Sequence, residues 1–389
     1  YAWVVVGGAL IAACGRSGSS APAPTAAPAP SVPPIVPAPS RSSGRAPAPS
    51  RPALPPQLAY LAGLMPLKST GVEAFRDAHP PFDGRGVVIG ILDGGVDPGV
   101  PGMARTSAGV RKLLDLRDFS GEGRVPLVGV NVAADGSIAI EGIPVTGVGR
   151  LMRLAPRPYY AGVFRERALG SGAAADVNGD GDDTDIFPVV VGKASDGWVA
   201  MTDTNGDRSI EDERPLHDYA IAAETITYGR GPMTLAVNLT ARGDGAPVLD
   251  FYFDNSSHGT HVAGIAAGHT LFGVEGFDGV APGAQVLALK IAHNARGKIS
   301  VTGSMMRAMR YAAEYAARRS LPLVLNLSYG VGNEVEGHAT IDTLVAQFAL
   351  DHPDVLVVVS AGNDGPGLST VLFPASADLV LSVCALFPG

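Results

Sequence analysis

Between residue 87 and the end of the chain, apolar runs of five or six residues recur: Val87–Leu92, Val286–Ile291, Leu323–Leu327, Val355–Val359 and Leu379–Val383. They do not alternate with polar residues, which suits strands covered on both faces. Ser300–Arg319 reads as one long helix between two of these runs, and Gly71–Pro80 as a short one. Strand, helix, strand in that order predicts an α/β fold with a doubly wound, mostly parallel sheet. In such sheets, sites form beyond the carboxyl ends of the strands. From about residue 115 to 250 the texture changes to a large, acidic, β-rich insertion.

The first 56 residues follow other rules. Residues 1–14, "YAWVVVGGALIAAC", are apolar but too short to span a bilayer, and resemble the hydrophobic region of a signal peptide. The end of this run, Ile11 to Cys14, resembles a bacterial lipobox. A lipid on Cys14 would anchor the chain to a bacterial membrane and place the rest in the cell envelope, facing the periplasm or the exterior. The alternative is an ordinary signal peptide, cut at its small residues, with a chance cysteine. Residues 15–56 contain 13 prolines among Ala and Ser and are expected to form an extended spacer. The folded body is expected over 57–389. The chain begins at Tyr1 and stops just after a strand-like run, and so reads as a fragment open at both ends.

Net charge is −8; setting aside residues 15–56, which hold four Arg and no acid, leaves −12, which argues against nucleic acid as a partner. The two cysteines, Cys14 and Cys384, lie in unlike contexts, so no disulfide framework is expected. Cys384 is expected as a small core residue in a buried strand.

Three stretches carry candidate chemistry. Asp93 closes the first apolar run, before "GGVDP"; such an Asp is either a site residue or a turn former. "HGTHVAG", from His258, starts a helix of small residues, with Gly259 and Thr260 letting another backbone come close. His261 is expected to be a hydrogen-bonded core histidine. A zinc reading of His-x-x-His lacks the helical motif's Glu and a third ligand. In "VLVVVSAGNDGPG", a strand ends at Ser360, and the amide of Asn363 could donate to a developing oxyanion or simply occupy a glycine-rich turn.

Together, the order Asp93, His258, Asn363 with these flanks resembles the subtilisin-like serine peptidases over roughly residues 57–389. "FDGRGVVIGILDGGVDPGVPGM", "GVAPGAQVLALKI", "LNLSYG", "SAGNDGPGLSTV" and "DTNGDRSI" resemble the tripeptidyl peptidase II branch, as does the 165-residue gap between Asp93 and His258. The resemblance implies that Asp93 orients the imidazole, that His258 is general base and then general acid, and that Asn363 serves the oxyanion hole. It implies that Ser328, Tyr329 and Gly330, with Ser360 and Gly362, line a cleft for an extended peptide. No cofactor is required for such chemistry.

The sequence departs from the family at three points. The nucleophilic serine's Gly-Thr-Ser-Met-Ala-x-Pro motif does not occur in this chain, and Gly303–Met305 falls in the long helix in the wrong order. Gly94 stands where the family usually carries Thr or Ser. The positions of the branch's glutamates, which hold a substrate's free amino end, fall at Ser300 and Val331, with Glu334 and Glu336 nearby. This favours an endopeptidase; the alternatives are a tripeptidyl aminopeptidase or a non-catalytic peptide-binding module. Within the insertion, Asp176, Asn178, Asp180 and Asp182 follow EF-hand spacing, with Phe187 in place of the closing Glu, and Asp203, Asn205 and Asp207 repeat the pattern with Arg208 at the glycine position. These loops are either calcium sites or hairpin turns around "GWVAMT". Oligomeric state is open.

Overall fold

The computed structural model describes residues 65, 67–169, 175–296, 299–300, 302–332, 335–365 and 367–385. The expected signal peptide with Cys14, and the spacer to residue 56, lie outside the described residues. Six parallel strands form the central sheet: β1 (Val88–Asp93), β2 (Leu113–Asp118), β3 (Gln285–Lys290), β4 (Leu323–Leu327), β5 (Val355–Ser360) and β6 (Leu381–Val383), in the order β6-β5-β4-β1-β3-β2.

Successive residues of a strand face opposite sides of a sheet, and β1 shows what each side meets. Ile91 packs with Ala263 and Ala267 of helix α1 (His258–Ala267), and with Val286 and Ala288 of β3. Leu92 packs with Met305 and Met309 of helix α2 (Thr302–Ala317) and with Val345 and Phe348 of helix α3 (Thr340–Asp351). Helices on both faces make the sheet doubly wound, as the unalternated runs predict. Each fully buried Leu or Ile contributes about 1.5–3 kcal/mol, and this core holds the carboxyl edge of β1 in place.

The ends of elements differ from the sequence reading. Helix α2 starts at Thr302, because Ile299–Ser300 instead pairs antiparallel with Ala292–His293. Strand β6 begins at Leu381, Leu379 having a left-handed φ of 65°. Among the described residues it is an edge strand, paired with β5 alone, and all three of its residues are exposed. Cys384 follows it and is exposed as well, so the expectation of a core cysteine is corrected.

Strand β2 pairs with β3 in the central sheet, so the insertion begins after Asp118 rather than near 115. It contains a five-stranded antiparallel sheet, ordered 216–217, 197–202, 186–194, 159–165, 128–130, and a three-stranded one, ordered 236–241, 247–252, 124–125. Phe164, Phe187, Tyr228, Phe251 and Phe253 give it an aromatic core of its own. Among the described residues, no helix is long and apolar enough to cross a membrane.

Candidate active site

Strand β1 delivers Asp93 to the carboxyl edge of the sheet, where α1 begins at His258. The His258 Nδ1 lies 2.8 Å from Oδ1 and 2.9 Å from Oδ2 of Asp93. A proton on Nδ1 leaves Nε2 as the basic atom. The carboxylate is buried, at 7% exposure, while the imidazole is 54% exposed. One face of the pair is therefore dry and the other open to an incoming group. Burial pushes the Asp93 carboxyl above its ordinary range, against the Gly94 N–H (2.7 Å to Oδ1) and His258, which favour the ionised form.

The backbone around the pair explains the small residues. A Cβ on Gly259 would stand 2.1 Å from the Gly95 carbonyl oxygen and 2.9 Å from the Asp93 Cβ, so only glycine lets the helix start so close to β1. Thr260 Oγ1 accepts from the Asp97 N–H at 2.7 Å and donates to Asp254. Asp254 also accepts from the N–H groups of Ser256, Ser257 and Thr260, at 2.9, 2.9 and 3.3 Å. It thus satisfies donors that a helix start leaves orphaned, next to Ser257, which is left-handed at φ 58°. Sequence reasoning missed Asp254; the signal was a carboxylate just ahead of a helix start.

His261 is exposed, which corrects the expectation of a core histidine. The stripe of α1 that meets the sheet is Gly259, Ala263, Gly264 and Ala267. At about 100° per residue, His261 stands about 200° round from Gly259 and faces away from the sheet.

Ser360 ends β5, two strands from β1 on the same carboxyl edge. Gly362 has φ 97° and its N–H donates to Ser360 Oγ at 3.2 Å. A Cβ there would meet Leu372 Cγ at 2.3 Å. Leu372 N–H bonds to the Ala361 carbonyl, and Phe373 pairs with Val331 in both directions. The segment 371–373 therefore ties Ser360–Asn363 to Ser328–Gly330, two stretches the sequence singled out separately. Asn363 itself is exposed. Val331 and Glu336 are exposed, and Glu334 lies outside the described residues. Ser304, at the centre of Gly303–Met305, is buried inside α2.

A second charged group, also missed from sequence, lies under the site. Lys290, the last residue of β3, pairs in register with Asp93. Its ammonium and the Glu122 carboxylate are 2.8 Å apart, and both side chains are fully buried. The signal was a lone Lys inside the apolar run "VLALKI".

In the insertion, the Asp176 carboxylate accepts from the N–H groups of Gly179, Asp180 and Gly181, and Asn178 donates to Asp185 at 2.6 Å. Asp203 does the same for Gly206 and Arg208 in the second loop. Among the described residues, the carboxylates that converge are Glu166, Asp182 and Asp185, within 4.8 Å of one another. Of the four expected calcium ligands, only Asp182 belongs to that group.

The model of the subtilase family, peptidase S8, matches residues 84–387. Pyrolysin of Pyrococcus furiosus is 29% identical over 78% of this chain and 25% of its own. Tripeptidyl-peptidase 2 of Oryza sativa is 27% identical over 81% of this chain and 27% of its own. The chain thus spans about a quarter of these relatives' length. A crystal structure of tripeptidyl peptidase 2 shares the fold, with a TM-score of 0.64 and 23% identity over 79% of this chain and 28% of that one. Since the family model covers the whole sheet that carries Asp93 and meets His258, this chain belongs to the subtilase family, peptidase S8.

Proposed function

We propose that Asp93 and His258 are two members of the catalytic triad of a serine peptidase acting on peptides or unfolded protein segments outside the cytoplasm. The observation that carries this reading is the buried carboxylate holding Nδ1 of a half-open imidazole. His258 would take the proton of a serine hydroxyl at Nε2 and return it to the leaving amine. Asp93 would stabilise the imidazolium without taking the proton itself. Asn363 would donate to the oxyanion, a contribution of about 2.7–4 kcal/mol in such sites. The stretches Ser328–Gly330 and Ser360–Gly362 would flank an extended substrate. The 389 residues contain no Gly-Thr-Ser motif, so the reaction needs a serine from outside them.

The absence of an acid at Ser300 and Val331 supports internal cleavage, because a buried substrate ammonium needs a paired charge. Tripeptides released as the sole product from a long peptide would overturn this part of the reading. A lipid on Cys14 would hold the enzyme at a bacterial membrane; Cys14→Ser is expected to abolish fatty-acid labelling. Calcium, if bound in the insertion, would draw on Asp182 with Glu166 and Asp185, and chelation would then lower Tm.

The test of the main reading is to express the gene together with its sequence beyond codon 389 and treat the product with a fluorophosphonate probe. Labelling of a single serine that is lost in His258→Ala supports a peptidase. A complete reading frame with no labelled serine overturns it in favour of a peptide-binding module.

A further inference from the structure

The turn that follows the catalytic-type aspartate is Gly94-Gly95, the freest backbone a chain offers. A carboxylate hung on such a turn holds one orientation only if the turn is clamped from outside. Two clamps are present. The Asp93 carbonyl accepts from the Ile291 N–H at 2.8 Å. The Gly94 carbonyl accepts from Lys290 Nζ at 2.5 Å, and from Asn294 Nδ2 at 3.5 Å. The peptide between these carbonyls supplies the N–H that orients Asp93 Oδ1. A Cβ at residue 94 would stand 2.6 Å from Ser256 Oγ, so Ser256 would have to turn aside to admit a side chain there.

Lys290 is in turn held by Glu122, which reaches in from the first turn of the insertion. The ammonium also lies 5.0 Å over the Phe253 ring. Glu122 Oε1 accepts from the Ala295 N–H at 2.8 Å and from Asn255 Nδ2 at 3.2 Å. Asn255 lies three residues before His258 and accepts from Asn294. One carboxylate therefore ties together the turn after Asp93, the segment feeding His258, and the 294–296 segment.

We infer that Glu122 and Lys290 are positioning residues: the buried pair fixes the Gly94 carbonyl and the approach to His258, and so holds the Asp93 carboxylate against the imidazole. The pair thus braces, through the insertion, a turn that has no side chain of its own at position 94. Its role in turnover rests on the peptidase reading above; its role in the Asp93–His258 hydrogen bond does not.

The experiment compares Glu122→Leu/Lys290→Met with the parent protein. Replacing a buried ion pair by apolar groups of similar volume is commonly neutral, but the Gly94 carbonyl, the Ala295 N–H and the Asn255 amide each lose a partner, so the double variant is expected to fold with a lowered Tm. The first readout is the downfield proton resonance of the His258 Nδ1–H to Asp93 hydrogen bond, assigned by its loss in Asp93→Asn. It is expected to be lost or broadened in the double variant. The second readout is kcat and KM of the serine-containing protein. A kcat reduced on the order of 10²-fold at unchanged KM is expected, the penalty typical of a small misplacement of reacting groups. If the double variant unfolds, Glu122→Gln, which keeps an acceptor for Ala295 and Asn255 but removes the charge that holds Lys290, is expected to fold and to weaken or broaden the resonance; an unchanged resonance there overturns the inference. A folded double variant with the parent's resonance also overturns it. A lost resonance in a protein with no peptidase activity sustains the positioning role and counts against the peptidase reading alone.

Discussion

The unfavourable burial of Asp93 sets a stability cost against function. Its carboxyl is pushed above the ordinary range by burial, and neighbouring Asp254 adds to this, while the Gly94 N–H and His258 offset only part. The folded state therefore binds this proton more tightly than the unfolded chain does. Stability from this group is present in acid and is lost as pH rises through the raised folded value. Asp93→Asn imitates the neutral form at all pH values. It is expected to match the parent's Tm in acid well below the ordinary Asp value of about 3.9, where both are neutral, and to exceed it at pH 7. Its kcat is expected to fall on the order of 10⁴-fold, since the amide no longer fixes the imidazole tautomer. Thermal unfolding at the two pH values checks the first claim, and an unchanged difference between them would count against it. Asp93 and His258, which the structure brings together, were both singled out in the sequence because each sits in a short run whose flanking glycines reflect local geometry. Glu122 and Lys290 were not, because their meaning lies in a contact across about 170 positions (Glu122 to Lys290) that no local pattern records.

At the scale of elements, α1 is held at both ends by residues distant in sequence. Asp254 caps its start, and at its end the Ala267 carbonyl accepts from the fully buried Lys112. Lys112 also donates to the carbonyls of Pro282 and Ala284, at 2.9 and 3.2 Å. A cation suits a helix carboxyl end, yet burial pushes this ammonium down to about 8, with Asp278 and Asp83 only partly opposing. Between about pH 8 and the ordinary lysine value near 10.4 the unfolded chain binds more protons than the folded one, so this group makes stability rise with pH there. Lys112→Met should remove that slope. Measured by urea unfolding, the variant is expected to lose ground against the parent steadily from pH 8 to pH 10; parallel curves would refute the assignment. Five of the six strands of the central sheet were legible to within two residues at their ends, because burial on both faces leaves unbroken apolar runs; β2, "LLDLRD", was not, because its two Asp and one Arg break the run and read as the start of the acidic insertion. Failures came where the partner decides: β6 is as apolar as its neighbours but sits at the edge, and His261 lies on the face of α1 turned from the sheet.

For the whole molecule, the question is how the insertion is joined to the sheet. Arg117 of β2 lies at the join. Its two terminal nitrogens bond Asp218 of the insertion at 2.8 and 2.6 Å, and its Nε bonds Asp115 at 2.9 Å. Asp115 also accepts from Tyr311 of α2, and the guanidinium lies 5.7 Å over the Tyr311 ring. Asp218 accepts from the Leu239 N–H as well, so one bidentate pair links sheet, helix and insertion. Arg117→Met would leave two buried carboxylates facing each other without a cation, and removing one partner of such a group costs about 3–5 kcal/mol. Removing all three charges together, by adding Asp115→Leu and Asp218→Leu, is expected to recover most of that loss. The two variants separate a packing role from an electrostatic one. If charge is the issue, the single variant is the less stable; if the guanidinium's packing against Tyr311 is what matters, the triple variant is no better. Hydrogen exchange adds where the loss falls. In the single variant, amides of 216–241 are expected to exchange faster while those of β1 and β4 keep their protection, because the insertion has its own aromatic core and the sheet has its own helices. Equal acceleration in both would mean that insertion and sheet unfold as one unit, and that the Glu122 contact under Asp93 is secured by the whole molecule rather than by the first turn of the insertion.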